Sequence, residues 1–91
     1  MNNAAIVTGA SSGIGLEISR VLCRLGYEVF GMGRNFDREL TQDHFHPVIC
    51  NLLDTEQLCD TAKKIAAQNH VTVLINNAGI AYYGLHEELI Q

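Results

Sequence analysis

The sequence predicts an α/β fold built on a doubly wound parallel sheet of about four strands, on the strength of three observations. Short apolar runs alternate with stretches of helical period. The first run, Ala4 to Thr8, is an apolar segment ended by Gly9, as suits a strand buried on both faces of a parallel sheet. That run passes into a helix through a glycine-rich loop.

After the loop, Ile14, Ile18, Val21, Leu22 and Leu25 recur at i, i+4, i+7, i+8 and i+11, marking one face of a helix that Gly26 stops as its C-terminal cap. Tyr27 to Met32 is the second strand, Phe36 to Gln42 a possible short helical turn, and Phe45 to Cys50 the third strand. Pro47 near the start of that strand suits a sheet edge or a strand's first residues. Asp54 opens a second helix, with Gln57 placed for a capping-box-like pair and Leu58, Ala62, Ile65 and Ala66 as its inner stripe; Asn69 stops it. Val71 to Ile75 is the fourth strand, followed by a loop with Gly79 and Gly84 and an opening helix from Leu85 to Gln91. Right-handed crossovers then give the strand order 3-2-1-4.

Length and composition bound the rest. The chain has 91 residues, so it forms one domain at most, and a domain of that size buries only about 60 to 65% of its unfolded surface. Hydrophobic residues make up 47% and charged residues 18%, a globular composition that argues against disorder. A net charge of -4 leaves no basic patch for counterion release, which argues against nucleic acid as a partner. Cys23, Cys50 and Cys59 sit in apolar-patterned stretches at no framework spacing and read as reduced core thiols of a cytoplasmic protein. The N-terminal apolar run lacks a basic flank and is too short for a signal peptide or a membrane span.

The loop Thr8-Gly9-Ala10-Ser11-Ser12-Gly13-Ile14-Gly15 lies where unpaired backbone N–H groups and the positive end of a helix dipole face one point, a setting that suits a phosphate. Gly9 permits the tight turn, Gly13 lets a pyrophosphate approach the backbone, and Gly15 lets the helix pack closely on the sheet. A glycine triplet alone is weak evidence, because turns and caps also use glycine. Here it has the form TGxxxGxG, and Asn76-Asn77-Ala78-Gly79 follows the fourth strand directly.

This pair of motifs, in this order, resembles the short-chain dehydrogenase/reductase family, and the resemblance covers essentially the whole chain. It implies that residues 1–91 are the N-terminal NAD(P)-binding half of a Rossmann domain. It implies that Gly9, Ser11, Ser12, Gly13, Ile14 and Gly15 hold the cofactor phosphates and ribose, and that Asn77, Ala78 and Gly79 run past the adenosine ribose and support the central sheet. Family members commonly carry an aspartate after the third strand to hold the adenine amino group. This chain has Asn51, followed by Leu52, and an asparagine oxygen can accept the same bond.

In dinucleotide folds an acid about 20 residues past the loop binds the ribose 2′-hydroxyl, while an arginine accommodates a 2′-phosphate. Counting from Gly13, that place is Gly33, followed by Arg34, whose planar fork suits a phosphate. The expected cofactor is therefore NADP rather than NAD, although Asp37, if the loop folds back, would reverse the preference.

The family's hydride chemistry implies a tyrosine with a lysine four residues on, and a serine. No Tyr-x-x-x-Lys exists here: Tyr27, Tyr82 and Tyr83 are followed at that spacing by Gly31, His86 and Glu87. No catalytic residue is expected within the chain. His44, His46 and Cys50 share one strand face by parity, but positions so close on one strand rarely converge on a metal tetrahedron, so no metal is expected. A sheet that stops at the fourth strand should leave Val71, Val73 and Ile75 on an unpaired edge, which suggests a homo-oligomer or a second chain supplying the missing half. Three functions follow: an oxidoreductase fragment that holds the ADP part of NADP(H), one half of a split reductase, or a non-enzymatic assembly module.

Overall fold

The computed structural model describes residues 3–11, 13–36 and 43–77. Four strands, β1 (Ala4–Thr8), β2 (Glu28–Gly33), β3 (Phe45–Ile49) and β4 (Val71–Asn76), form one parallel sheet in the order β3-β2-β1-β4. Helix α1 (Gly13–Arg24) connects β1 to β2, and α2 (Thr55–Gln68) connects β3 to β4. This is the expected order. The expected turn over 36–42 and the helix over 85–91 fall on residues outside the described set, apart from Phe36.

Every residue of β1 is buried, because β2 and β4 flank it and an apolar layer covers each face. On one face Ile6 and Met32 pack with Cys50 and with Leu58, Ala62 and Ile65 of α2. On the other, Ala5, Val7 and Val29 pack with Ala10 and with Cys23 of α1. Residues alternate between these faces at period two. Pro47 lies exposed on β3, which is an edge strand.

The helix ends follow their local chemistry. Gly26 takes φ +95°, its N–H donates to the Cys23 carbonyl at 3.0 Å, and the Tyr27 N–H donates to the Leu22 carbonyl at 3.0 Å. Together these bonds make a Schellman cap. Asp54 caps α2, its Oδ1 accepting the Gln57 N–H at 3.0 Å. The return half of the expected capping box does not form. The Gln57 side-chain oxygen instead accepts the Asn51 N–H at 3.2 Å, three residues ahead of the cap.

The apolar stripe of α1 is not the face that packs on the sheet. The buried positions are Gly15, Ser19 and Cys23, while Ile14 is 71% and Leu25 69% exposed and Val21 is also exposed. Short side chains face inward because the helix starts against the β1 loop, where a longer one would not fit. The Ser19 hydroxyl tolerates burial by donating to the Gly15 carbonyl at 2.8 Å. Half-buried Leu22 still reaches the sheet-side cluster.

At the amino-terminal edge of the sheet, the Glu28 carboxylate takes both His44 Nδ1 and His46 Nε2, the latter at 3.0 Å. Cys50 lies at the other end of β3, buried against α2, so the three residues considered for zinc are split between opposite ends of one strand. No group of three or more potential ligands among the described residues could hold a metal ion.

The burial pattern of α1 makes a test. Val21→Ser should change stability by no more than about 0.5 kcal/mol, as an exposed substitution does, whereas Ser19→Val should cost about 1–3 kcal/mol through overpacking. Urea unfolding of the two variants measures the difference, and equal costs would contradict the inward orientation of Ser19.

Candidate functional site

In a parallel sheet all carboxyl ends lie along one edge, and the loops that leave them converge there. Gly9, Ser11, Gly13, Ile14 and Gly15 follow β1, Arg34 follows β2, Asn51 and Leu52 follow β3, and Asn77 follows β4. Ser12, Ala78 and Gly79, along with Asp37, Tyr82 and Tyr83, lie outside the described residues.

The β1 loop is anchored by its neighbours. The Met32 carbonyl of β2 accepts the Gly9 N–H at 2.9 Å and the Ala10 N–H at 3.3 Å. Gly9 turns through φ +65°, which glycine adopts without steric cost. Its carbonyl accepts Asn77 Nδ2 at 3.3 Å, across a sequence separation of 68. A Cβ at Gly15 would stand 2.1 Å from that same carbonyl oxygen and 2.8 Å from Asn77 Nδ2. Gly9, Gly15 and Asn77 therefore form one close junction at which β1, α1 and β4 meet. Beside it the Thr8 hydroxyl lies 3.4 Å from the Ile75 carbonyl and 3.3 Å from Asn76 Oδ1.

Gly13 has the opposite surroundings. It adopts φ +62°, and a Cβ there would meet nothing within 4 Å, so its backbone faces open space at the amino end of α1. The first turn of α1 carries no acidic side chain, which leaves the positive end of the helix dipole for an external anion. These are the local conditions that suit a phosphate at a helix amino end.

At the end of β2, a Cβ at Gly33 would lie 3.3 Å from Ser11 Cβ and from Phe36 Cζ. A carboxylate side chain there would crowd the β1 loop. Arg34, the next residue, is exposed.

The turn after β3 is held from three sides. The Cys50 N–H donates to the Gly33 carbonyl at 2.9 Å, Gln57 Oε1 takes the Asn51 N–H, and Asn51 Oδ1 accepts the Leu53 N–H at 3.1 Å. The Asp54 N–H closes the turn on the Asn51 carbonyl at 3.0 Å. Between Cys50 and Asp54 the Leu52 N–H is the main-chain donor with no acceptor among the described residues. Sequence reading missed the part of Gln57 because a contact six residues back is neither helical nor capping-box spacing.

Burial, together with nearby Glu28, raises the Cys23 thiol pKa. Burial and Asp54 raise that of Cys50, against a smaller lowering by a bond with Thr61. Both thiols are poor nucleophiles. A groove of about 630 Å³ runs beside the exposed face of α1, lined by residues that include Ile14, Ile18 and Val21. It is almost wholly apolar, and Gly13 is among the residues that line it.

Residues 3–90 match the family described as short chain dehydrogenase. The chain belongs to the short-chain dehydrogenase family. It is 34% identical over 90 residues to a probable short-chain type dehydrogenase/reductase, VdlC, of Helicobacter pylori, covering 92% of this chain and 32% of that protein. It is 33% identical over 88 residues to an NADPH-dependent 3-dehydrocapnine reductase of Ornithobacterium rhinotracheale, covering 88% of this chain and 31% of the relative. Among solved structures, a short-chain dehydrogenase from Streptomyces avermitilis superposes with a TM-score of 0.71 at 28% identity, over 81% of this chain and 29% of that one. The chain thus spans about a third of the length of the relatives it matches.

Two outcomes follow from this geometry. Gly15→Ala should lower stability by about 1–3 kcal/mol, since its methyl group displaces the Gly9 carbonyl or Asn77, with the loss read by thermal or urea unfolding. A native-like transition midpoint for that variant would contradict the junction. Alkylation by iodoacetamide near pH 8, followed by peptide mass spectrometry, should label half-buried Cys59 well before Cys23 and Cys50. Equal labelling of all three would contradict the burial of the other two.

Proposed function

We propose that this chain is the N-terminal, nucleotide-binding half of an NAD(P)-dependent oxidoreductase and that it binds the ADP part of NADP(H). The observation that carries the reading is the contrast between two glycines of one loop. Gly15 is pressed into the Gly9 and Asn77 junction, while Gly13 presents open backbone at a helix amino end free of acidic side chains. The first arrangement fixes the loop, and the second leaves its N–H groups for a pyrophosphate.

Within this reading Gly9, Ser11, Ser12, Gly13, Ile14 and Gly15 hold the phosphates and the adjoining ribose. Asn51 and Leu52 meet the adenine, and Asn77, Ala78 and Gly79 line the ribose side. Arg34 grips a 2′-phosphate as a charge-assisted pair, which favours NADP over NAD. The strand end agrees with this preference, because Gly33 offers no 2′-hydroxyl-binding carboxylate and a Cβ there would already stand 3.3 Å from Ser11 and Phe36. The NADPH dependence of the Ornithobacterium relative agrees with it. The bound nicotinamide would supply hydride chemistry. This chain's residues bind and orient the nucleotide end, and with no Tyr-x-x-x-Lys in the sequence it is catalytically incomplete alone.

A second feature favours association with further polypeptide. Strand β4 pairs with β1 on one side and with no described strand on the other, and its Val73, Leu74 and Ile75 are only half-buried. A second copy of the chain, or a chain supplying the rest of the fold, would cover them. No described helix is long and apolar enough to cross a membrane, and the free thiols agree with a cytoplasmic site of action.

Calorimetric titration tests the cofactor reading. NADPH and 2′,5′-ADP should bind, with NADH markedly weaker. Arg34→Ala should weaken NADPH by about tenfold to a hundredfold while leaving NADH unchanged. An equal loss for both dinucleotides would remove Arg34 from the 2′-phosphate, and no binding by the folded chain would leave the association reading in its place.

A further inference from the structure

Asp54 and Gln57 have the spacing of a helix cap, but Gln57 reaches past the cap. Its Oε1 accepts the Asn51 N–H at 3.2 Å and lies 3.7 Å from Cys50 Sγ. The turn it grips is fixed at its other end by the 2.9 Å bond from the Cys50 N–H to the Gly33 carbonyl, at the end of β2. Asn51 in turn holds Leu53 through Oδ1 and Asp54 through its carbonyl. The result is a closed set of bonds from which one main-chain donor, the Leu52 N–H, is left over among the described residues, while Asn51 Oδ1, one residue earlier in the chain, keeps a second lone pair. A donor beside an acceptor complements the edge of adenine, which offers a ring nitrogen acceptor beside an amino donor. Hypoxanthine, with a ring N–H beside a carbonyl, has the reverse pattern.

Resting on the nucleotide reading above, we infer that Gln57 is a positioning residue for base recognition: by accepting the Asn51 N–H it orients the Cys50–Asp54 turn so that Leu52 N–H and Asn51 Oδ1 select adenine. Gln57 does not touch the ligand. Without its acceptor the Asn51 N–H would compete for another partner, and the peptide between Cys50 and Asn51, from which the Asn51 side chain is set, would lose its orientation while the Asn51 carbonyl stays bonded to the Asp54 N–H.

The test compares NADPH with nicotinamide hypoxanthine dinucleotide phosphate on the whole chain and on Gln57→Leu and Gln57→Glu. Leucine keeps the bulk without the acceptor, and glutamate keeps the acceptor. The unmodified chain should prefer the adenine dinucleotide by about tenfold, the worth of one or two hydrogen bonds. Q57L should bring the ratio close to one and Q57E should restore it. A purely structural part would weaken both dinucleotides alike and leave the ratio unchanged. Amide exchange gives a readout that needs no ligand: the Asn51 N–H should be protected in the unmodified chain and in Q57E, and should exchange freely in Q57L. If the unmodified chain binds neither dinucleotide, the nucleotide reading itself falls. If it binds them without preference, or the preference or the Asn51 protection survives in Q57L, that reading stands and the part assigned to Gln57 is wrong.

Discussion

The carbonyl oxygen of Gly9 is the point on which this structure depends. It accepts a hydrogen bond from Asn77 Nδ2 and lies so close to Gly15 that no side chain fits between them. Three elements distant in sequence therefore meet at one atom. The turn out of β1, the start of α1 and the exit from β4 can change only together. The constraint extends outward, since a helix that begins this close to the sheet must present short residues along its inner face. Gly15, Ser19 and Cys23 do so.

That same constraint explains where the sequence was legible and where it was not. The strands could be read because each is short, largely apolar and bounded by glycine or polar residues, and the parallel order then follows from crossover handedness. The inner stripe of α2 was equally legible: Leu58, Ala62 and Ile65 are buried in one cluster with Ile6 and Met32 of the sheet. For α1 the hydrophobic period misleads. Its strongest apolar positions, Ile14, Val21 and Leu25, point outward, and proximity rather than hydropathy selects the inner face.

The glycine loop was legible in a different way, through the steric demands of single positions. Gly9 and Gly13 adopt left-handed conformations, and Gly15 has no room for a Cβ. The joining of Asn77 to Gly9 has no local signature, since nothing in either segment specifies a partner at that distance. Gln57 is a similar case. Its pairing with Asn51 depends on how the turn after β3 folds back over the first turn of α2, which residue spacing does not encode. Contacts set by backbone conformation were visible in the sequence, and contacts set by the meeting of two loops were not.

The bond between Asn77 and Gly9 also bears on the order in which the molecule assembles. It closes a loop of nearly the whole described chain, and closure entropy must be met before so distant a contact can contribute. The strand-helix-strand unit from β1 to β2 can pair locally, but the junction at Gly9 is complete only once β4 has docked beside β1. A ligand that recognises the finished junction binds the native state and has no site on the unfolded chain, so it shifts the equilibrium toward folding by mass action. To the extent that the junction forms after the rate-limiting step, such a ligand would act by slowing unfolding, because a contact of that kind stabilises the native basin without lowering the barrier into it. Any ligand held at this edge would thereby be coupled to the lifetime of the fold.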